Sequence, residues 1–243
     1  MVPPHAGRRC ALSALAFLTA AGLVGGCAGG RGEARRLPGD AGAALLYVAL
    51  GDSTVEGIGA TSSATTYVGQ LHRRLRVIYA DAQVVNLGAG GATSDDVVAR
   101  QLERAVALDP QLVTLSIGPN DITTQVSVAE YERNVAKILE RLVSGTTAVV
   151  VVNLLPDLVV TPRFRHHEAK PVIARLTVAF NEALERQGRR YGVELVDLYR
   201  PSRAEVPAQP ELMSRDGYHP SDAGYARWAE LMWAGIERHL ARR

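Results

Sequence analysis

The sequence predicts an α/β fold: a three-layer α/β/α sandwich around a five-stranded parallel sheet, flavodoxin-like in strand order. Three observations predict it. From Leu45 onward, short continuous apolar runs alternate with longer amphipathic stretches. The apolar runs lack a polar alternation, as expected of strands covered on both faces. The chain has 243 residues, 47% of them hydrophobic and 21% charged, which suits one domain with a full core.

The elements follow in order. Leu45–Leu50 reads as the first strand. Thr65–Tyr79 reads as a helix, because Tyr67, Val68, Leu71, Leu75 and Ile78 recur at helical spacing with Arg73, Arg74 and Arg76 between them. Gln83–Leu87 is the second strand. Ser94–Leu108 is helical, with Ser94 as N-cap, Asp95 and Asp96 at its positive end, and Pro110 closing it. Leu112–Ile117 is the third strand. Ser127 to Val143 is helical, Ser127 capping it with Glu130 three residues on. The β-branched run Thr147–Leu154 is the fourth strand. Pro171–Tyr191 is a helix stopped by Gly192, and Val193–Leu198 the fifth strand. Ser221–Leu240 is the last helix, with Tyr225, Trp228, Leu231, Met232 and Ile236 on one side; Trp228 and Trp233 read as core and interface residues. Strands separated by helices require right-handed crossovers, and ligands of such sheets bind beyond the carboxyl ends of the strands.

The N-terminus reads as an export signal. Arg8 and Arg9 precede an apolar run from Ala11 to Val24, too short to span a membrane with ease, followed by Val24-Gly25-Gly26-Cys27. Those four residues resemble a bacterial lipobox, in which the cysteine is lipid-modified. An ordinary signal peptidase site or an uncleaved anchor are the competing readings. A twin-arginine signal fits Cys10-Ala11-Leu12 poorly. The expectation is a signal peptide over 1–26, a flexible Gly-, Ala- and Arg-rich tether over 27–43, and one domain over 44–243, held at a membrane by a lipid on Cys27. Removing the two signal arginines from the 27 basic residues leaves 25 against 25 acidic ones. That balance gives no support to nucleic-acid binding. Cys10 and Cys27 are the only cysteines, so the mature domain has no internal disulfide and rests on its core.

The chemistry gathers at the strand ends. Ser53, Gly91 and Asn120 each sit just past the end of a predicted strand. A serine hydroxyl needs an adjacent base. Of the six histidines, His219 is the best candidate, because Asp216 precedes it by three residues and can reach its Nδ1 within one turn. Pro220 marks a helix entrance there. The Ser53 N–H, the unobstructed Gly91 N–H and the Asn120 amide are candidate oxyanion donors, with Gly88 and Gly90 as alternatives to Gly91.

Taken alone, Ser53 reads more simply as a helix cap, and Asp52 and Asp121 as structural hydrogen-bonders. Gly88-Ala89-Gly90-Gly91 is not a dinucleotide loop, since Thr93 stands where that pattern needs glycine. His166-His167-Glu168 lacks metal-ligand spacing and reads as solvated loop. Pro156–Lys170, with Phe164 between Arg163 and Arg165, is long enough to shape a substrate pocket or meet an anionic membrane surface.

Together these residues resemble the SGNH (GDSL-type) hydrolases. Leu50-Gly51-Asp52-Ser53 resembles the first block of that family, Gly91 its glycine block, Gly118-Pro119-Asn120-Asp121 its G-x-N-D block and Asp216-x-x-His219 its D-x-x-H block. The match runs from about Leu45 to Leu240. Thr54-Val55 departs from the leucine common after the serine, which bears on substrate preference. The resemblance implies an esterase, lipase, thioesterase or carbohydrate esterase with neither metal nor cofactor, acting on a small-molecule, lipid or glycan ester. The rival expectations are an O-deacetylase of envelope glycans and a non-catalytic envelope-binding protein.

Overall fold

The computed structural model describes Met1 and residues 35–241. The predicted signal beyond Met1, the lipid-attachment residue Cys27 and the first part of the tether lie outside the described residues. Among those residues, no helix is long and apolar enough to cross a membrane.

Five parallel strands form one sheet: β1 (Leu46–Gly51), β2 (Gln83–Asn86), β3 (Leu112–Ser116), β4 (Val149–Asn153) and β5 (Glu194–Val196). Their spatial order is β2-β1-β3-β4-β5, the flavodoxin-like order. Register is set by strict alternation. Val48, Leu50, Val113, Leu115, Val150 and Val152 face one core, and Tyr47, Ala49, Leu112, Val149 and Val151 face the other. Each central strand is buried on both faces, which explains the unbroken apolar runs. The helices α6 (Val128–Gly145) and α7 (Lys170–Tyr191) cover the first face. The other face is covered by α2 (Tyr67–Ile78) and α9 (Asp222–Glu237), which meet through Tyr67 stacked on Trp228 at 5.6 Å.

Four local features differ from the sequence expectation. Residues 35–43, read as tether, lie against the domain. Leu37 is 2% exposed within the second core, and Arg35 donates to the carbonyls of Val143, Thr146 and Ala148 at the end of α6. A cation at a helix C-terminus satisfies carbonyls that lack intrahelical partners. The helix predicted from Ser94 is broken: α3 (Ser94–Asp96) passes through a π-turn, Val97–Gln101, into α4 (Leu102–Ala107). Its cap is Thr93, paired reciprocally with Asp96, so Ser94 is free for another role. An unforeseen helix, α8 (Tyr199–Ala208), follows β5. It buries no residue fully and contains Pro201 and Pro207, so it shows no apolar period. Finally, the long loop after β4 is packed, with Leu158, Val159 and Phe164 buried.

Candidate active site

The place of Ser53 is fixed by the end of β1. Gly51 has φ +145°, and a Cβ there would lie 1.9 Å from the Ser116 carbonyl oxygen, so only glycine fits. β2 stops short of this point, and Gln101 fills the vacant edge. Its Oε1 accepts from the Gly51 N–H and its Nε2 donates to the Gly51 carbonyl, both at 2.8 Å. The chain then turns into α1 (Ser53–Glu56), capped by Asp52, which accepts from the N–H and hydroxyl of Thr54. Asp52 is 1% exposed, and burial pushes its pKa up to about 6 against the hydrogen bonds from Thr54. Because Asp52 caps the helix, the Ser53 hydroxyl is not consumed as a cap. It lies 2.8 Å from His219 Nε2.

His219 comes from a tight loop before α9, closed at its base by a bridge between Met213 and Pro220. Gly217 takes φ +68° within it. Asp216 Oδ1 accepts from the Ser214 hydroxyl and the N–H groups of Tyr218 and His219, and Oδ2 lies 2.6 Å from His219 Nδ1. Burial works to raise the Asp216 pKa, but the bonds from the His219 ring, the two backbone N–H groups and Ser214 hold it well below the usual carboxylate range. An ionised Asp216 accepting from Nδ1–H leaves Nε2 as the acceptor for the Ser53 proton. Helix α9 begins past Pro220, with Ser221 as its cap.

The three glycine candidates differ in what their N–H groups do. Gly88 donates to Asn86 Oδ1, and Gly90 donates to Glu56 Oε2 at 2.6 Å. Among the described residues neither the Gly91 N–H nor the Ser53 N–H has a partner. Gly91 has φ +76° and open space where a Cβ would stand. Asn120, in the short helix α5 (Pro119–Thr123), donates one amide hydrogen to the Ala92 carbonyl at 2.9 Å. That bond orients the amide and leaves its second hydrogen unused. Ser53, Gly91, Asn120 and His219 border one open cavity. Asp121, fully buried, accepts from the Ser94 N–H and hydroxyl, tying the end of β3 to the loop that carries Gly91. Asn134 completes this tie by donating to Ser94 Oγ.

A protein-family model for the GDSL-like lipase/acylhydrolase family matches residues 49–227. The chain belongs to this family. It is similar to the GDSL-like esterase Rv1075c of Mycobacterium tuberculosis, 32% identical over 204 residues; the alignment covers 79% of this chain and 61% of that protein. Among solved structures, TesA superposes with a TM-score of 0.65 at 25% identity, covering 82% of this chain and all of TesA. The lipase/acylhydrolase of Enterococcus faecalis gives 0.67 at 21% identity over 82% of this chain and 98% of its own. Axe2, an acetylxylan esterase of Geobacillus stearothermophilus, gives 0.64 at 21%, covering 83% and 98%. The last two likenesses are of fold.

In this GDSL-like chain a second cavity opens beside Ser53 and His219, and neither Gly91 nor Asn120 lines it. It holds about 830 Å³ of atom-free space, its open mouth included, and is lined mainly by apolar groups, among them Leu158, Leu198, Val206, Leu212, Met213 and Trp228. The long loop after β4, α8 and α9 together enclose it, so the loop does border the site. Sequence reasoning missed Gln101 and the residues of α8. The signal for Gln101 was present: a polar residue among Val97, Leu102 and Ala105 on the buried stripe of its helix. For α8 there was none.

Proposed function

We propose that this chain is an exported serine esterase that hydrolyses a carboxylic ester through an acyl-enzyme. Ser53 Oγ attacks the carbonyl carbon while His219 Nε2 takes its proton. Asp216 fixes the tautomer of His219 and stabilises the imidazolium that forms. The new oxyanion is held by the Ser53 N–H, the Gly91 N–H and the free amide hydrogen of Asn120. Collapse expels the alcohol, protonated by His219. A water deprotonated by His219 then attacks the acyl-serine, and the carboxylic acid leaves.

The observation that carries the reading is the unbroken contact chain from Asp216 through His219 to Ser53, at 2.6 and 2.8 Å, beside two N–H groups without partners among the described residues. A fluorophosphonate probe tests it. Wild type should be labelled and Ser53→Ala should not; equal labelling of both would overturn the assignment.

The apolar cleft supports an acyl chain longer than acetyl. An O-deacetylase of envelope glycans would use the same machinery without needing such a cleft. Rates on nitrophenyl esters of rising chain length, set beside acetylated sugars, separate the two. Export and lipid attachment at Cys27 rest on the sequence of the N-terminal segment. Mass spectrometry of the mature N-terminus tests them, and Cys27→Ser should release the protein from the membrane fraction.

A further inference from the structure

Arg163 stands beside the catalytic group without a role in the chemistry above. It borders the same cavity as Ser53, Gly91, Asn120 and His219. Its guanidinium lies over the ring of Tyr218, 5.1 Å from the centroid, and over that of Phe164 at 5.6 Å. Tyr218 in turn meets the His219 ring edge-on at 4.9 Å. The Arg163 N–H donates to the Gly217 carbonyl, so the backbone at this point is pinned to the loop that carries His219. Two rings flank the guanidinium, yet among the described residues no carboxylate pairs with it. An exposed arginine on an unconstrained loop would sample many positions; this one is held at the rim of the cavity. Its forked donors suit a planar or tetrahedral anion.

The carboxylates touching residues of this cavity are already engaged. Asp216 is filled by four donors, Glu56 accepts from the Gly90 N–H, and Asp52 caps α1 in the interior. None neutralises Arg163.

The geometry also says which part of a substrate reaches Arg163. With the carbonyl oxygen toward Gly91 and Asn120 and an apolar acyl chain in the cleft, the leaving alcohol must lie next to His219, which protonates it. Tyr218 borders both cavities, whereas Arg163 lines the one with Gly91 and Asn120 and not the apolar cleft, so it faces the alcohol side. We propose that Arg163 is a substrate-binding residue that selects esters whose alcohol portion carries an anionic group, a carboxylate or a phosphate. The inference rests on the esterase reading given above.

The test uses two soluble butyrate esters, that of para-nitrophenol and that of its analogue bearing one carboxylate meta to the hydroxyl. Each rate is normalised to that ester's hydroxide-catalysed hydrolysis. No vesicles or micelles are present, so the assay reads the charge of the substrate and not of a surface. Wild type should favour the anionic ester in kcat/KM by about five- to tenfold, the range for a charge-assisted bond at a partly wet site. Arg163→Gln should bring the ratio to near one, and Arg163→Lys should keep part of it. Raising ionic strength from about 0.05 to about 0.5 M should shrink the wild-type ratio, which tests the idea even if a variant misfolds. A wild-type ratio near one, or an Arg163→Gln variant that keeps the full ratio, overturns the proposal and leaves the esterase reading standing. If neither ester is hydrolysed, both fall.

Discussion

Gln101 provides the sharpest test of how β1 holds Ser53, the proposed nucleophile. Its amide makes two bonds to the backbone of Gly51, both 2.8 Å, and its side chain is 3% exposed. Gln101→Leu conserves most of the volume and removes both bonds. The Gly51 carbonyl retains the Ala89 N–H as a donor, at 3.1 Å, so only the Gly51 N–H is left without a partner. One buried donor left unsatisfied costs about 1–3 kcal/mol. For a domain of this size that lowers the Tm by about 2–10 °C. The consequence for rate is larger in proportion. Gly51 lies two residues before Ser53, and a shift of the nucleophile of about 1 Å can cost on the order of 100-fold. The assay is thermal unfolding by circular dichroism together with kcat on a nitrophenyl ester and the rate of fluorophosphonate labelling. Expected are a lower Tm and at least a tenfold slower labelling, measured well below the transition. A Gln101→Leu variant with wild-type Tm and wild-type labelling rate would refute the claim that the Gln101 amide holds the end of β1, and with it Ser53, in place.

Asp216→Asn should lower kcat by about 10³–10⁴-fold with little change in Tm, since it presents the wrong partner to His219 Nδ1; a loss under tenfold in steady-state kinetics would count against the proposed base. Gly88→Ala and Gly91→Ala should part company. A Cβ at Gly88 meets Val55 Cβ and the Glu56 nitrogen at 2.6 Å, whereas at Gly91 it meets nothing within 4 Å. Soluble, folded Gly91→Ala with a destabilisation of about 1 kcal/mol from its positive φ, and a much less stable Gly88→Ala, are the expected results of parallel denaturation curves. Asp52 predicts a pH effect. Its folded pKa, about 6, lies above its ordinary 3.8, so its stabilising contribution is full below pH 3.8 and is lost as pH rises through 6. Asp52→Asn keeps the capping acceptor without the charge. Relative to wild type it should therefore gain stability between about pH 4 and about pH 8, by on the order of 2–3 kcal/mol; a difference that does not vary with pH would sink this account.

The sheet was legible because each central strand is apolar on both faces, as Val48 to Leu50 and Val149 to Val152 show. That Ser53, Asn120, Asp216 and His219 come together was legible for a related reason. The fold puts strand ends on one edge, and residues needed there must follow apolar runs or open helices. What escaped notice depends on contacts between distant segments. Leu37 is buried only because it finds the second core, and nothing in the composition of residues 35–43 signals a docking site. The cap at Thr93 was misread because Ser94 is an equally good capping residue; Ser94 is instead bonded to Asp121, which lies 27 positions away. Helix α8 carries two prolines and is stabilised from outside, in part by Glu205 paired with Arg227 of α9. What separates Gly88, Gly90 and Gly91 is the partners of their N–H groups, which no sequence pattern records.

The loop from Met213 to Pro220 makes the orienting half of the site local and the nucleophilic half remote. Asp216 and His219 bond across three residues inside a loop closed on itself, while Ser53 is 166 positions away. Segments flanking Ser53 and His219 are joined by a few long-range links: Thr61 to Asp222, the Tyr225 hydroxyl to the Ile58 carbonyl, and the ring contacts of Tyr67 with Tyr225 and Trp228. Ser53 and His219 thus sit on two halves of the chain that α9 helps to bring into register. Slippage of that helix would separate Ser53 from His219. Activity then gauges one seam of the molecule, and on heating its loss is expected before that of secondary structure, which parallel rate and circular dichroism measurements check.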